Sequence, residues 1–289
     1  SFDASVLELL LAVPVGARIV VAPPGTFGGE DLANLMRENR ITHTFLTPSV
    51  LATVDPAQLP DLEVVVAGGE AVPADIVSRW AAPTRRIHNG YGPTETTIMT
   101  NISDPLTVGD RITIGAPIRG MRALILDERL RPVPVGVAGE LYLSGVQLAR
   151  GYHNRMSLTA TRFVADPYGD GRRLYRTGDV VRWTAAGTVE YVGRADFQVK
   201  VRGLRIELGE IESALLAAGK SGTETSVAQA VVVVHTDARS GASIVAYVVP
   251  SRTTSVDAAA LKAAVARQLP SYMVPAAIIE LDALPLNAS

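Results

Sequence analysis

Apolar and polar positions along this chain change period twice. Up to about residue 117, β-branched apolar runs alternate with stretches of helical period. Arg18-Ile19-Val20-Val21-Ala22 and Leu62-Glu63-Val64-Val65-Val66-Ala67 read as strands buried on both faces, alternating with helices over 31–39 and 72–80. That alternation predicts an α/β layer with a largely parallel sheet, in which loops at the carboxyl ends of the strands carry ligand. Gly68-Gly69-Glu70 and the turn at Tyr91 are two such loops. Between about 118 and 191 the helical period disappears. Short extended runs, Arg122-Ala123-Leu124-Ile125-Leu126, Glu140-Leu141-Tyr142-Leu143 and Thr188-Val189-Glu190-Tyr191, are separated by Gly, Pro and Asp turns, as in a small β-barrel or sandwich. From Phe197 the order is strand, helix (207–218), strand (230–235), strand (244–249), helix (256–268), strand (276–281), the β-α-β-β-α-β order of a small α+β domain. Its first helix aligns Leu208, Ile211 and Leu215 on one face, carries Glu207 and Glu210 in its first turn, and is followed by Gly219. The expected divisions are 1–117, 118–196 and 197–289.

Composition narrows the chemistry. With 27 basic against 29 acidic residues in 289, the chain carries no footprint for nucleic acid or an anionic membrane, and a small molecule or protein is the expected partner. There is no cysteine, so disulfides, thiolate zinc sites and a cysteine nucleophile are excluded, and thiol chemistry needs a partner's thiol. No apolar run has the length of a membrane span and Ser1-Phe2-Asp3-Ala4-Ser5 is no leader, so a cytoplasmic location is the default expectation. A first residue other than Met and an end at Leu286-Asn287-Ala288-Ser289 point to a piece of something longer.

Several simple motifs fail. Gly219-Lys220-Ser221 is not a phosphate loop, which needs a glycine where Ala214 stands and a helix beginning where this one ends. His43, His88, His153 and His235 have no metal-ligand spacing, and no Gly-x-Ser-x-Gly elbow occurs. Asn89-Gly90-Tyr91-Gly92-Pro93-Thr94-Glu95-Thr96-Thr97 is different. It could be a tight turn only, yet it offers a ring for a base, a hydroxyl for phosphate and a carboxylate for Mg²⁺. In Tyr175-Arg176-Thr177-Gly178-Asp179, the carboxylate of Asp179 either accepts both hydroxyls of a ribose or caps its own backbone. Arg194, Lys200, Arg202 and Arg205 form a basic cluster beside Asp196 and Gly203, where a solvated strand and a hinge are the alternatives.

These residues carry a resemblance. Phe2-Asp3-Ala4-Ser5, 89–97, Gly139-Glu140-Leu141-Tyr142-Leu143-Ser144-Gly145 with Leu148-Ala149-Arg150-Gly151-Tyr152, 175–179, 193–212 and Leu269-Pro270-Ser271-Tyr272-Met273-Val274-Pro275 follow one another as in the adenylation domain of a nonribosomal peptide synthetase. The chain thus resembles a member of the superfamily of AMP-forming acyl- and aryl-CoA synthetases and luciferases, along its whole length. The resemblance implies an α/β with α+β fold: part of a large domain, made of a parallel α/β layer and a small β-barrel, followed by a small mobile α+β domain. It implies ATP and Mg²⁺ as cofactors and an amino acid that attacks the α-phosphate to give an aminoacyl adenylate and pyrophosphate. The acyl group then passes to the phosphopantetheine thiol of a peptidyl carrier domain, within a synthetase that also holds a condensation domain. In that scheme Gly68, Gly69, Glu70, Asn89 and Tyr91 flank the nucleotide, Thr94 meets phosphate and Glu95 helps hold Mg²⁺. Asp179 binds the ribose, Tyr191 and Arg194 line the same site, Lys200 is catalytic, Asp196 is the hinge, and Gly203 meets the pantetheine arm.

Two departures set an expectation for activity. The family's glycine-rich phosphate loop lies upstream of Phe2, and its main catalytic lysine follows a Leu-Pro-Leu-x-x-x-Gly-Lys stretch that Ser289 interrupts, so the 289 residues alone are expected to be inactive in adenylation. By the same alignment Asp3 pairs with the substrate's α-amino group, which favours an α-amino acid over a fatty or aryl acid. Ala4, Leu7, Phe45, Val65, Ala67, Gly90, Ile98 and Met99 complete the pocket, and without charges or strong hydrogen-bonding groups they point to an apolar side chain. Residues 157–167 resemble a segment that accompanies an MbtH-like protein in actinobacterial relatives, or form an ordinary surface helix and loop. The competing readings are a CoA ligase of the same superfamily and a degenerate, non-catalytic module.

Overall fold

The computed structural model describes residues 3–169, 171–201, 203–218, 227–237, 241–251 and 256–285. Phe2, Arg202, the Gly219-Lys220-Ser221 run and the terminal Leu286-Asn287-Ala288-Ser289 lie outside the described residues. The chain divides into two compact units, Ser1–Asp196 and Phe197–Ser289.

The first unit opens with helices α1 (Ala4–Ala12) and α2 (Gly29–Glu38), then β1 (His43–Leu46), α3 (Pro48–Leu51), β2 (Val64–Gly68), α4 (Ala74–Trp80) and β3 (Arg86–Tyr91). Strands β1, β2 and β3 pair in parallel. Two short strands, β4 (Asn101–Ile102) and β5 (Ala116–Pro117), extend the sheet antiparallel at its far side. The apolar pattern explains this layer. Val65, Ala67 and Ile87 from the strands meet Leu32, Met36, Leu51, Ile76, Val77 and Trp80 from α2, α3 and α4 in one buried core.

One expected strand is absent. Residues 18–22 belong to no strand or β-bridge, and Val21 is 82% exposed. A strand needs a ladder for its amides, and β1 stands at the edge of the sheet with no neighbour beyond it among the described residues. Apolarity alone did not make residues 18–22 a strand.

The second layer of this unit is antiparallel: β6 (Met121–Leu126), β7 (Gly139–Gly145), the short helix α5 (Met156–Arg162), β8 (Phe163–Ala165), β9 (Arg173–Trp183) and β10 (Val189–Arg194). Strand order is β10-β9-β7-β6, with β8 also pairing β9. It is an open half-barrel where the sequence pointed to a small barrel or sandwich. Ile125, Leu141, Leu143, Val181 and Val189 form its core, and Tyr91 from the end of β3 is built into it.

The second unit begins with a hairpin, β11 (Gln198–Val201) and β12 (Leu204–Glu207), followed by α6 (Leu208–Ala218), β13 (Val227–Asp237), β14 (Gly241–Pro250), α7 (Ala258–Gln268) and β15 (Ala277–Glu280). The expected single first strand is thus a separate two-stranded hairpin. The remaining strands form the sheet β13-β14-β15, with β14 and β15 parallel. Ile206, Ile211, Leu215, Ala246, Val248 and Val265 lie at its core. Asp257 caps α7, its carboxylate accepting from the amides of Ala259 and Ala260.

Candidate functional site

Two clusters form where the parallel layer meets the half-barrel. The first surrounds Asp179. Gly178 adopts φ +77°, which turns β9 so that Asp179 stands opposite Arg194 in the β9–β10 register. Arg194 Nη1 donates to Asp179 Oδ1 at 2.8 Å, while its Nε and Nη2 grip Asp196 Oδ1 and Oδ2 at 2.7 and 2.8 Å. Arg162 of α5 adds a second cation to Asp196 at 3.5 Å. The Tyr91 hydroxyl donates to Asp179 Oδ2. Burial first, and the Asp179 charge second, push the Tyr91 phenol well above its usual range. Burial and Asp179 likewise push Tyr191 up to about 12. Asp179 therefore presents a buried carboxylate ringed by a phenol and a guanidinium, whose hydrogen bonds a pair of ribose hydroxyls could replace.

The second cluster is the turn after β3. A Cβ on Gly92 would lie 2.5 Å from the Ile98 carbonyl oxygen and 2.6 Å from Met99 Cα, so only glycine lets residues 98 and 99 fold back this closely. Thr97 and Ile98 both carry positive φ, +60° and +70°, costly for β-branched residues. Asp3 offsets part of that strain by accepting the Ile98 amide on Oδ2 at 3.0 Å. The turn presents Thr94 exposed and Glu95 buried. The Tyr152 hydroxyl donates to Glu95 Oε1 at 2.6 Å. Burial, then that bond, raises the Tyr152 phenol far beyond its ordinary range.

Strand parity sorts the apolar candidates by sheet face. Phe45, Val66 and His88 share one face by register, and Gly68 and Gly90 follow on it. A Cβ on Gly68 would meet the Phe45 ring at 2.9 Å, and one on Gly90 would meet Met99 Sδ at 3.0 Å and Val66 Cγ1 at 3.1 Å. Phe45, Val66, Gly68, Gly90 and Met99 are therefore gathered beside Asp3 and Ile98. Val65 and Ala67 are not: both are 0% exposed and face the helices on the opposite side of the sheet. On β2 it is Val66 and Gly68 that lie on the face shared with Phe45 and Gly90. Ala4 and Leu7 lie on α1, Leu7 buried.

Other expected residues have structural partners. Glu70 accepts from the Ser49 amide and hydroxyl at 3.0 and 3.1 Å, which fixes the start of α3. The Asn89 side chain donates to the Thr113 carbonyl at 2.9 Å, tying β3 to the loop before β5. Gly69 follows β2 with φ +84°. Lys200 on β11 and Gly203 in the turn after it, φ +75°, belong to the second unit. Sequence reasoning gave no role to Arg162 or Tyr152, whose partners are distant in sequence.

For Mg²⁺ the donor chemistry fits a nucleotide-borne ion. Among the described residues no group of three or more His, Asp or Glu side chains could hold a metal, while Glu95 offers one carboxylate beside the Thr94 hydroxyl. Mg²⁺ is commonly held by one or two carboxylates together with substrate phosphates and water. No helix among the described residues is long and apolar enough to cross a membrane.

A partial parallel α/β layer with an antiparallel half-barrel, followed by an α+β unit, is the architecture of an adenylation domain. The chain belongs to the AMP-binding enzyme family: the profile "AMP-binding enzyme" matches residues 1–153 and "AMP-binding enzyme C-terminal domain" matches 210–289. It is 46% identical to novobiocin biosynthesis protein H of Streptomyces niveus over 99% of this chain and 47% of that protein. It is 44% identical to the isonitrile lipopeptide synthase of Mycobacterium tuberculosis over 100% of this chain and 11% of that one. A solved structure of PA1221, a nonribosomal peptide synthetase protein with adenylation and PCP domains, superposes with TM-score 0.84 at 30% identity, covering 99% of this chain and 57% of PA1221. The chain thus spans about half or less of the curated relatives named here.

Proposed function

We propose that this chain is the carboxyl-terminal part of an amino-acid-activating adenylation domain. With ATP and Mg²⁺ it converts an apolar α-amino acid to its adenylate and delivers the acyl group to a carrier domain's phosphopantetheine thiol. The observation that carries the reading is the Tyr91–Asp179–Arg194 cluster, which places a buried carboxylate with exchangeable partners beside the turn bearing Thr94 and Glu95. Asp179 binds the ribose hydroxyls, and Tyr91, Tyr191 and the 68–70 loop border the nucleotide. Thr94 bonds phosphate and Glu95 holds Mg²⁺, which neutralises phosphate charge when bound. Asp3 takes the α-ammonium, while Phe45, Val66, Gly68, Gly90, Ile98 and Met99 enclose the side chain. The substrate carboxylate attacks the α-phosphorus, the bond from that phosphorus to the leaving pyrophosphate breaks, and the protein contributes positioning and charge complementarity. In the second unit, Lys200 assists catalysis and Gly203 meets the pantetheine arm, with Asp196 as hinge. A condensation domain and an MbtH-like protein complete the proposed partners, in the cytoplasm.

The test uses a polypeptide extended at both ends to the length of the family's solved relatives, here termed the family-length protein. Incubated with ATP, amino acids and a holo carrier domain, it is expected to leave an aminoacyl thioester on the carrier, detected by mass. Formation of a CoA thioester from a fatty or aryl acid, with an unloaded carrier, would replace this reading with a CoA ligase. Neither product, at any substrate, would favour a non-catalytic module.

A further inference from the structure

Tyr152 sits at the end of a loop whose construction is more elaborate than a surface turn needs. Gly151 has φ +143°, and a Cβ there would lie 2.4 Å from Thr159 Cγ2, so glycine alone admits α5 this close. Thr159 uses that approach to accept the Tyr152 amide at 2.9 Å. Arg173 reaches from β9 to the carbonyls of Arg150 and Ala149 at 2.9 and 3.2 Å, and lies 5.5 Å over the Phe163 ring. The Tyr152 ring packs edge-on against Phe163, centroids 5.6 Å apart. Both ends of the loop then close on one residue. The Ala149 amide donates to the Glu95 carbonyl at 2.9 Å, and the Tyr152 hydroxyl donates to Glu95 Oε1 at 2.6 Å.

We infer that Tyr152 is a positioning residue for the Glu95 carboxylate, holding Oε1 so that Oε2 keeps a fixed aim toward the nucleotide-bound divalent ion. The inference rests on the reading of Glu95 as the Mg²⁺ carboxylate. Its physical basis is that the terminal torsion of a glutamate has broad minima, which a bond to one carboxylate oxygen narrows on the 3-10 turn Thr94–Thr96. A charge-assisted O–H···O⁻ bond of this length pins it. Hydrogen-bonded partners of metal ligands act in this way generally, and their removal costs about 10- to 100-fold in metal affinity or activity.

The experiment is a titration of Mn²⁺, read by electron paramagnetic resonance, into the family-length protein saturated with α,β-methylene-ATP. It compares Tyr152→Phe, Glu95→Gln and the double variant, each with a melting curve. Phenylalanine keeps the ring on Phe163 and removes only the hydroxyl. The expected result is Mn²⁺ affinity about 10-fold weaker in Tyr152→Phe, weaker still in Glu95→Gln, and no further loss in the double variant. Wild-type affinity in Tyr152→Phe with weakened binding in Glu95→Gln would overturn the positioning role and leave the Glu95 reading intact. Wild-type affinity in Glu95→Gln would remove the Glu95 reading and the inference with it. Losses that simply multiply in the double variant, with a melting point lowered by Tyr152→Phe, would make Tyr152 a packing residue only.

Discussion

Gly178→Ala probes whether the Arg194 clamp is what holds β9 and β10 in their observed relation. At φ +77° any L-residue pays backbone strain of about 1–2 kcal/mol. The added Cβ would also lie 2.7 Å from Arg194 Nη2 and 2.8 Å from Asp196 Oδ2, closer than real Cβ contacts. Those atoms belong to the Arg194–Asp196 ion pair, whose side chains are 12% and 32% exposed. Displacing one charge-assisted bond there adds about 1.5–3 kcal/mol. Gly187 supplies the control: its φ is also +77°, with nothing within 4 Å of a built Cβ, so Gly187→Ala reports strain alone. By calorimetry of the family-length protein, Gly178→Ala is expected to exceed Gly187→Ala by about 1.5–3 kcal/mol, or roughly 3–12 °C for a unit of this size. Equal shifts in the two variants would refute the claim that the clamp is structurally engaged.

Three further outcomes follow from the same geometry. Val66→Ala should widen the pocket and raise the relative kcat/KM for a bulkier amino acid about tenfold, whereas Val65→Ala should cost about 2 kcal/mol of stability with substrate preference unchanged; the reverse pattern would return the pocket to the other face. Asp179→Asn should weaken nucleotide binding by about 10- to 100-fold in calorimetric titration, and an unchanged affinity would remove Asp179 from the ribose site. Tyr142 and Tyr191 are raised by burial from an ordinary 10.0 to about 12, so their share of stability is complete below pH 10 and is lost as pH rises toward 12. Ultraviolet titration should show part of the eight tyrosines ionising only in that window together with unfolding, and ionisation of all eight near pH 10 with the fold retained would contradict it.

The alternation of β-branched runs with helical period made the parallel layer legible, because strands covered on both faces are apolar throughout. That same property hid which face each residue takes. In a strand reading Val64-Val65-Val66-Ala67 no polar residue marks a side, and a slip of one residue exchanges the helix-covered face for the opposite one. The run at 18–22 carried an equal apolar signal and is no strand, since pairing depends on a neighbour that local sequence does not encode. The motif residues Tyr91, Asp179 and Arg194 were each visible as chemistry. Their meeting was not, because it depends on the β9–β10 register and on β3 ending inside the half-barrel core. Tyr152 and Glu95, 57 residues apart, meet through contacts no local pattern encodes, among them the Gly151–Thr159 approach and the Ala149–Glu95 bond.

Amino-acid-dependent ATP–pyrophosphate exchange by the family-length protein, across the standard amino acids and with Asp3→Ala and Asp179→Ala beside the wild type, tests the central claim most directly. The account predicts exchange that peaks on one apolar amino acid and is lost in both variants. Exchange with no amino acid, or exchange that survives Asp179→Ala undiminished, would contradict it.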